Sequence, residues 1–238
     1  MTHTDNIDTD ASENPKWFDG GALIDLLIII FVMVAVKQSV LPYSYLYAGP
    51  ASTFSAMIVA TILLRRRGLG WKDLGLRWPE NWWKTIGLTI VTMFLFIAAT
   101  QIMQLFADAF FVDVGASGRF DHVEGNLPAY IGIMLIVWTH GSFFEELLFR
   151  AFVINRASTT LGGGLRADLI AVMIGAIFFG YRHYYYQGLH GALITGAGGF
   201  AFGMIYLWIG RKNILPLIFA HGAFNSIAQT FRFLGIED

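Results

Sequence analysis

Long apolar segments alternate with short polar ones along most of the chain. A helix needs roughly 20 mostly apolar residues to cross about 30 Å of hydrocarbon. Segments of suitable length and character lie at about 23–40, 45–64, 86–111, 129–153, 169–185, 192–209 and 214–231. This pattern predicts an all-α fold, a polytopic transmembrane helical bundle of about seven spans.

The polar ends and connectors predict the domain organisation. Residues 1–22 are polar and acidic, and no basic stretch precedes an apolar core as it would in a signal peptide. They predict a disordered N-terminal tail. No connector is long enough for a separate soluble domain, so residues 23–238 predict a single membrane-embedded domain.

Composition supports a membrane protein and excludes several kinds of chemistry. The chain of 238 residues is 55% hydrophobic and 14% charged, whereas soluble domains carry about 25% charged residues. The formal net charge of −1 provides no general attraction for nucleic acid, so no nucleic-acid partner is expected. Because the chain has no cysteine, disulfides, thiolate ligands and cysteine nucleophiles are excluded.

The distribution of cations predicts the orientation of the bundle. The connector at 65–84 contains six of the sixteen Lys and Arg residues, and loops rich in these residues stay cytoplasmic. We therefore expect a multi-pass protein of the plasma membrane, which is the inner membrane in a bacterium, with its N-terminus in the cytoplasm. Trp78, Trp82 and Trp83 in the same connector predict an amphipathic segment at the membrane surface.

Three charged residues interrupt the fourth apolar segment. A charge at the centre of a spanning helix costs about 2.5 to 3.5 kcal/mol, so each of them needs a partner or a function. Glu146 and Arg150 are four residues apart and can form an ion pair on one helical face. Glu145 points to another face and remains available for chemistry. The alternative is that all three form a structural charge cluster between helices.

Two later segments also carry polar side chains within apolar surroundings. His183 follows Phe179 by four residues, and His221 precedes Asn225 by four residues on one face of the last helix. A lone intramembrane histidine commonly forms an interhelical hydrogen bond. Polar groups on three separate helices indicate instead a shared site.

The three motifs, taken in order, resemble those of a known family. EExxxR, FxxxH and HxxxN are typical of the CPBP family of intramembrane glutamic endopeptidases, which includes type II CAAX prenyl endopeptidases and bacteriocin-processing or bacteriocin-immunity Abi proteins. The resemblance covers about residues 129–231 and implies a protease core there, with a polar catalytic cavity. It implies hydrolysis of peptide bonds in membrane-associated or prenylated, CAAX-type proteins or peptides. The expected partners are therefore a peptide or lipidated-protein substrate and membrane lipid.

The resemblance also implies roles for the motif residues. Glu145 would be the general base for a water that it shares with His183, and His183 would assist protonation of the leaving amine. His221 and Asn225 would donate hydrogen bonds to the oxyanion. Glu146 with Arg150 would hold the fourth helix in place.

Zinc is the competing mechanism, since His183, His221 and a glutamate could form a site with two histidines and one carboxylate. The chain lacks HExxH, and Asn225 beside His221 suits an oxyanion donor better than a zinc ligand. We therefore expect no metal cofactor. Of the other histidines, His140 lies five residues before Glu145, predicting a different face and a structural or interfacial role. His190 is a candidate lining residue of the site.

The sequence is also compatible with two further functions: a non-catalytic bacteriocin-immunity protein, and a small ion- or proton-coupled transporter. Either could use buried Glu, His and Arg side chains as a relay, although no inverted repeat is visible. The predicted spans also place His183 nearer the opposite membrane surface than Glu145 and His221. We therefore expect a tilted fifth helix and a water-filled cavity deep in the bundle.

Overall fold

The computed structural model describes residues 18–113, 118 and 120–236. Over these residues the regular structure is helical and contains no strand, so the predicted all-α class is confirmed. The principal helices are α1 (Gly20–Val40), α2 (Ala48–Arg66), α3 (Trp82–Phe110), α4 (Leu127–Thr160), α5 (Gly164–Trp208) and α6 (Leu215–Phe233). Short 3₁₀ turns occur at Trp71–Leu74 and Asp121–Val123.

Side-chain caps fix where several helices begin. The Asp19 carboxylate accepts a hydrogen bond from the Ala22 backbone N–H at 2.9 Å, and this bond lowers the pKa of Asp19. Of the predicted tail 1–22, residues 1–17 lie outside the described residues, whereas residues 20–22 form the first turn of α1. Asn81 and Asn126 cap α3 and α4 in the same way.

Five helices in the described part of the chain are long and apolar enough to cross a membrane, namely α1 to α5. Together with the sequence pattern, they make this chain an integral membrane protein. Helix α6 is as long as α2, at 19 residues, but is not one of these five, and it packs against α3 and α4.

Helix α5 reverses direction within its 45 residues. Gly188 has non-helical angles, φ 63° and ψ −169°, which glycine adopts without steric cost. A Cβ atom on Gly180 would lie 2.5 Å from the Ala192 carbonyl oxygen, and one on Gly203 would lie 2.8 Å from Val172 Cγ1. The arms 164–187 and 189–208 are therefore antiparallel and packed through glycines. They correspond to the predicted fifth and sixth segments.

The middle of α4 is a wider helix than an α-helix. Val137–Phe144 and Leu147–Ile154 are π-helical, and Glu145 and Glu146 lie between them. Every residue of Leu147–Ile154 is buried, and all of them except Arg150 belong to the main hydrophobic core. Because π-helical turns are rare and concentrate at functional sites, the two glutamates between these turns are candidate functional residues.

Candidate active site

A cavity of about 350 Å³ lies where α4, α5 and α6 meet. Five of the six predicted site residues line it: Glu145, Arg150, His183, His221 and Asn225. Much of the remaining wall is apolar, including Leu46, Phe96, Ile133, Ile136, Phe202 and Phe224. The cavity holds His183 together with Glu145 and His221, although the predicted spans placed them at different depths.

Glu146, the sixth predicted residue, lies behind the cavity wall and is completely buried. Its Oε1 lies 3.1 Å from Arg150 Nη1, so the ion pair expected from the spacing of four is present. The same oxygen lies 2.8 Å from His221 Nδ1. Glu146 therefore links α4 to α6, a contact that spacing within one helix could not predict.

The Glu146 contact determines which atoms His221 can offer to a substrate. An Nδ1–H that donates to a carboxylate leaves Nε2 of a neutral imidazole as an acceptor. Donation from Nε2 requires one additional proton shared between His221 and Glu146. The Phe179 and Phe202 rings flank His221, with centroids 6.2 and 5.7 Å from that of its imidazole.

Arg150 is enclosed by the same two phenylalanines. Its Cζ lies 4.4 Å from the Phe179 ring centroid and 5.2 Å from that of Phe202. Such cation–π contacts favour a guanidinium that is removed from water. Phe179, the first residue of the FxxxH motif, therefore contacts the arginine of EExxxR.

His140 lies next to Glu145, contrary to the prediction from the sequence, with its Nε2 3.5 Å from Glu145 Oε1. The expected separation onto different faces is wrong because it assumed an α-helix. The Glu145 backbone N–H bonds to the His140 carbonyl, five residues earlier. This π-helical turn brings residues i and i+5 onto one face. The only sequence signal was a histidine within an apolar segment.

His183 is held by its own helix. Its Nδ1 lies 2.8 Å from the Phe179 carbonyl oxygen, which can only accept, so Nδ1 donates and Nε2 of the neutral ring is an acceptor. The adjacent Arg182 donates to the Met33 carbonyl at 3.0 Å and to Ser52 Oγ at 2.6 Å. These bonds fasten the first arm of α5 to α1 and α2 beside the site.

A second, smaller cavity of about 30 Å³ adjoins the larger one. Glu145 and His183 border both cavities, and His140 and Arg182 also border the smaller one. Its volume is sufficient for one water molecule, and its polar lining supplies hydrogen-bond partners.

Asn225 reaches the site because α4 and α6 pack closely. A Cβ atom on Gly222 would lie 2.5 Å from Trp138 Cζ3, so only glycine fits there without a shift of the indole. One turn later, Asn225 Nδ2 lies 3.4 Å from the position of a Cβ on Gly141. The Asn225 amide therefore lies beside the first π-helical turn of α4.

The geometry does not support His190 as a lining residue of the site, and it gives no support for a metal centre among the described residues. His190 lines neither cavity, and its Nε2 lies 2.7 Å from Oδ1 of Asp108 near the end of α3. Among the described residues, no three His, Asp or Glu side chains converge in a way that could hold a metal ion.

The comparisons with known proteins agree with the motif pattern. Residues 127–227 match the family model described as type II CAAX prenyl endopeptidase Rce1-like. Neither curated proteins nor solved structures gave a match. The matched segment starts at the first residue of α4 and ends in α6, so it contains all six predicted site residues. This segment is therefore similar to the Rce1-like type II CAAX prenyl endopeptidases, a family of proteases.

Proposed function

We propose that this protein is an intramembrane endopeptidase that uses Glu145 and His183 to activate water. Its substrate is a membrane-associated or prenylated, CAAX-type protein or peptide. The strongest support for the proposal is that Glu145 and His183 border the same cavity of about 30 Å³, next to the larger cavity that His221 and Asn225 line.

The first chemical step is attack by water on the scissile carbonyl. Nε2 of His183 accepts one hydrogen bond from the water, and the Glu145 carboxylate takes its other proton. The resulting hydroxide adds to the carbonyl carbon and gives a tetrahedral oxyanion. Glu145 then returns the proton to the leaving amine with the assistance of His183, and the C–N bond breaks to give an amine and a carboxylic acid, which ionises in water to the carboxylate.

The oxyanion is stabilised by donors from α6. The Asn225 amide donates one hydrogen bond, and Nε2–H of His221 donates another when the His221–Glu146 pair carries its additional proton. Arg150 contributes positive charge from the same wall of the cavity. Glu146 acts through His221 and Arg150 and does not itself line the cavity.

His140 is a positioning residue in this mechanism. Its imidazole lies 3.5 Å from Glu145 Oε1 and can restrict the rotation of that carboxylate. A base whose orientation is fixed by a neighbour loses less entropy in the transition state. The π-helical turn is the structural cause, since an α-helical turn would direct His140 away from Glu145.

The proposed chemistry requires no metal. The side chains of the site supply a base, a hydrogen-bond acceptor for water and hydrogen-bond donors for the oxyanion. His221 Nδ1 is occupied by Glu146, and the described side chains do not converge as a ligand set.

The activity is testable with purified protein in lipid vesicles. The substrate is a peptide ending in a farnesylated CAAX sequence, and its unprenylated form is the matched control. We expect mass spectrometry to detect cleavage of the farnesylated peptide by the wild type and not by Glu145→Ala. Equal cleavage by both proteins would contradict the proposal. Cleavage of both peptides at equal rates would retain the protease and reject the preference for a lipid.

In the proposed orientation, the protein lies in the plasma membrane and its N-terminus is in the cytoplasm. Because the chain lacks cysteine, single cysteines give an unambiguous test. Cysteines at the exposed positions Arg66 and Lys212 should react with an impermeant maleimide only from the cytoplasmic side. A cysteine at exposed Gly118 should react only from outside. Reversed labelling would contradict the orientation.

A further inference from the structure

A second large cavity, of about 780 Å³, lies away from the candidate active site. It is bounded by the beginning of α3, the end of α5 and the connection from α5 to α6. Its volume is within the range of about 300 to 1,000 Å³ that is typical of ligand pockets. We call this cavity the interfacial groove, because the ends of apolar helices mark the membrane surface.

The walls of the interfacial groove are held together by backbone contacts. The Ile214 N–H donates to the Gly75 carbonyl at 3.0 Å, which joins the two connectors. Gly75 has a φ of 95°, and a Cβ atom there would lie 2.6 Å from the Arg211 carbonyl oxygen, so glycine is required on both grounds. Asn213 Nδ2 donates to Thr85 Oγ1 at 3.0 Å and ties the connection to α3. The groove is therefore formed before any ligand binds.

Cationic side chains outnumber acidic ones in the groove. Four cations line it, Arg77, Lys84, Arg211 and Lys212, against two carboxylates, Asp73 and Glu80. Arg211 is paired with Asp168. Among the described residues, the other three cations have no acidic side chain within ion-pair distance. One carboxylate is also partly satisfied, since Asp73 Oδ2 accepts the Gly70 N–H.

Indole rings flank these cations. Trp78 and Trp208 line the groove and are 84% and 66% exposed. Trp82 packs edge-on against Trp78, with ring centroids 5.8 Å apart. Tryptophan favours the headgroup level of a bilayer, where its apolar ring and its N–H are both accommodated. Unpaired cations beside exposed indoles therefore match a phosphate with acyl chains attached better than a fully aqueous anion.

We propose that the interfacial groove binds the phosphate-bearing headgroup of an anionic phospholipid. Arg77, Lys84 and Lys212 contact the phosphate, while Trp78 and Trp208 contact the glycerol and the upper acyl chains. The site is separate from the proposed proteolytic cavity, and its test does not depend on catalysis.

The experiment measures quenching of tryptophan fluorescence by brominated lipid in nanodiscs. Brominated phosphatidylglycerol is titrated into a phosphatidylcholine background, and brominated phosphatidylcholine is the control lipid. The test variant is Arg77→Gln/Lys84→Gln/Lys212→Gln. The matched control is Arg65→Gln/Arg66→Gln/Lys72→Gln, which removes the same charge from exposed positions that do not line the groove.

We expect the test variant to bind phosphatidylglycerol roughly 10- to 100-fold more weakly, since each cation near an anionic surface contributes about a fivefold change in affinity. The control variant should stay within about threefold of the wild type, because its three side chains do not line the groove and so do not contact the bound phosphate. Binding of brominated phosphatidylcholine should be the same in all three proteins. If the triple variant does not fold, the single Lys212→Gln change should shift affinity in the same direction by about fivefold.

Three outcomes would overturn the proposal. An equal loss of affinity for phosphatidylglycerol in both triple variants would indicate that binding depends on the general surface charge and not on the groove. Equal quenching by the two brominated lipids would exclude headgroup selection. Displacement of the lipid by millimolar inorganic phosphate would assign the groove to a free anion.

Discussion

Glu145→Gln is expected to reduce peptide hydrolysis by about 100- to 10,000-fold, the contribution of a positioned general base. Glutamine has nearly the shape of glutamate and can still hold water, but its amide cannot accept a proton at neutral pH. Glu145 is only 7% exposed, and among the described residues its side chain forms no ion pair with an arginine. The substitution should therefore leave the fold intact. Steady-state cleavage of the peptide substrate, together with thermal unfolding, measures both effects.

Two other glutamates provide the comparison. Glu124→Gln changes an exposed residue outside the candidate site and should leave the rate unchanged. Glu146→Gln removes the counterion of buried Arg150, and breaking such a pair costs about 3 to 5 kcal/mol of stability. Substitution of Glu145 should thus lower the rate of hydrolysis, whereas substitution of the adjacent Glu146 should lower the stability of the fold. Full turnover by folded Glu145→Gln would refute the assignment of the base.

Asn225→Ala is expected to lower kcat by about 100- to 1000-fold, because losing one oxyanion donor typically costs that much. Substrate affinity should change little, since the hydrogen bond strengthens only as negative charge develops. Gln229→Ala, one turn further along α6 and facing the same cavity, is the matched control and should cost less than about tenfold. A separate determination of kcat and KM distinguishes a lost donor from a distorted binding site.

The same variants distinguish hydrolysis without a metal from hydrolysis by zinc. Without a metal, activity should resist chelators, purified active protein should contain no stoichiometric metal, and His221→Ala should lose rate as Asn225→Ala does. With zinc, Asn225→Ala should retain most activity, and chelation should abolish it until zinc is restored. One zinc per active molecule, removed and restored in step with activity, would reject the glutamate mechanism and retain the protease.

Features that depend on neighbouring residues along one helix were predictable. The lengths of the apolar segments follow from the thickness of the bilayer, and six of the seven predicted segments overlap a separate helix or hairpin arm of similar extent. The remaining predicted segment, the fourth along the chain at 129–153, lies within α4. This helix continues to Thr160 because its last turns are buried against α1 and α5. The Glu146–Arg150 pair was also predictable, because residues four apart are neighbours on any α-helix.

The sequence by itself determined the class of fold, the apolar segments and the side chains available for chemistry, since all of these depend on local composition and spacing. Tertiary structure alone decided how those side chains meet. The Glu146–His221 contact joins residues 75 positions apart, and the reversal at Gly188 brings the two arms of α5 together. The π-helical turn that moves His140 beside Glu145 depends on packing, because a wider helix forms only where surrounding helices compensate for its weaker geometry. Such long-range contacts leave no fixed spacing in the chain.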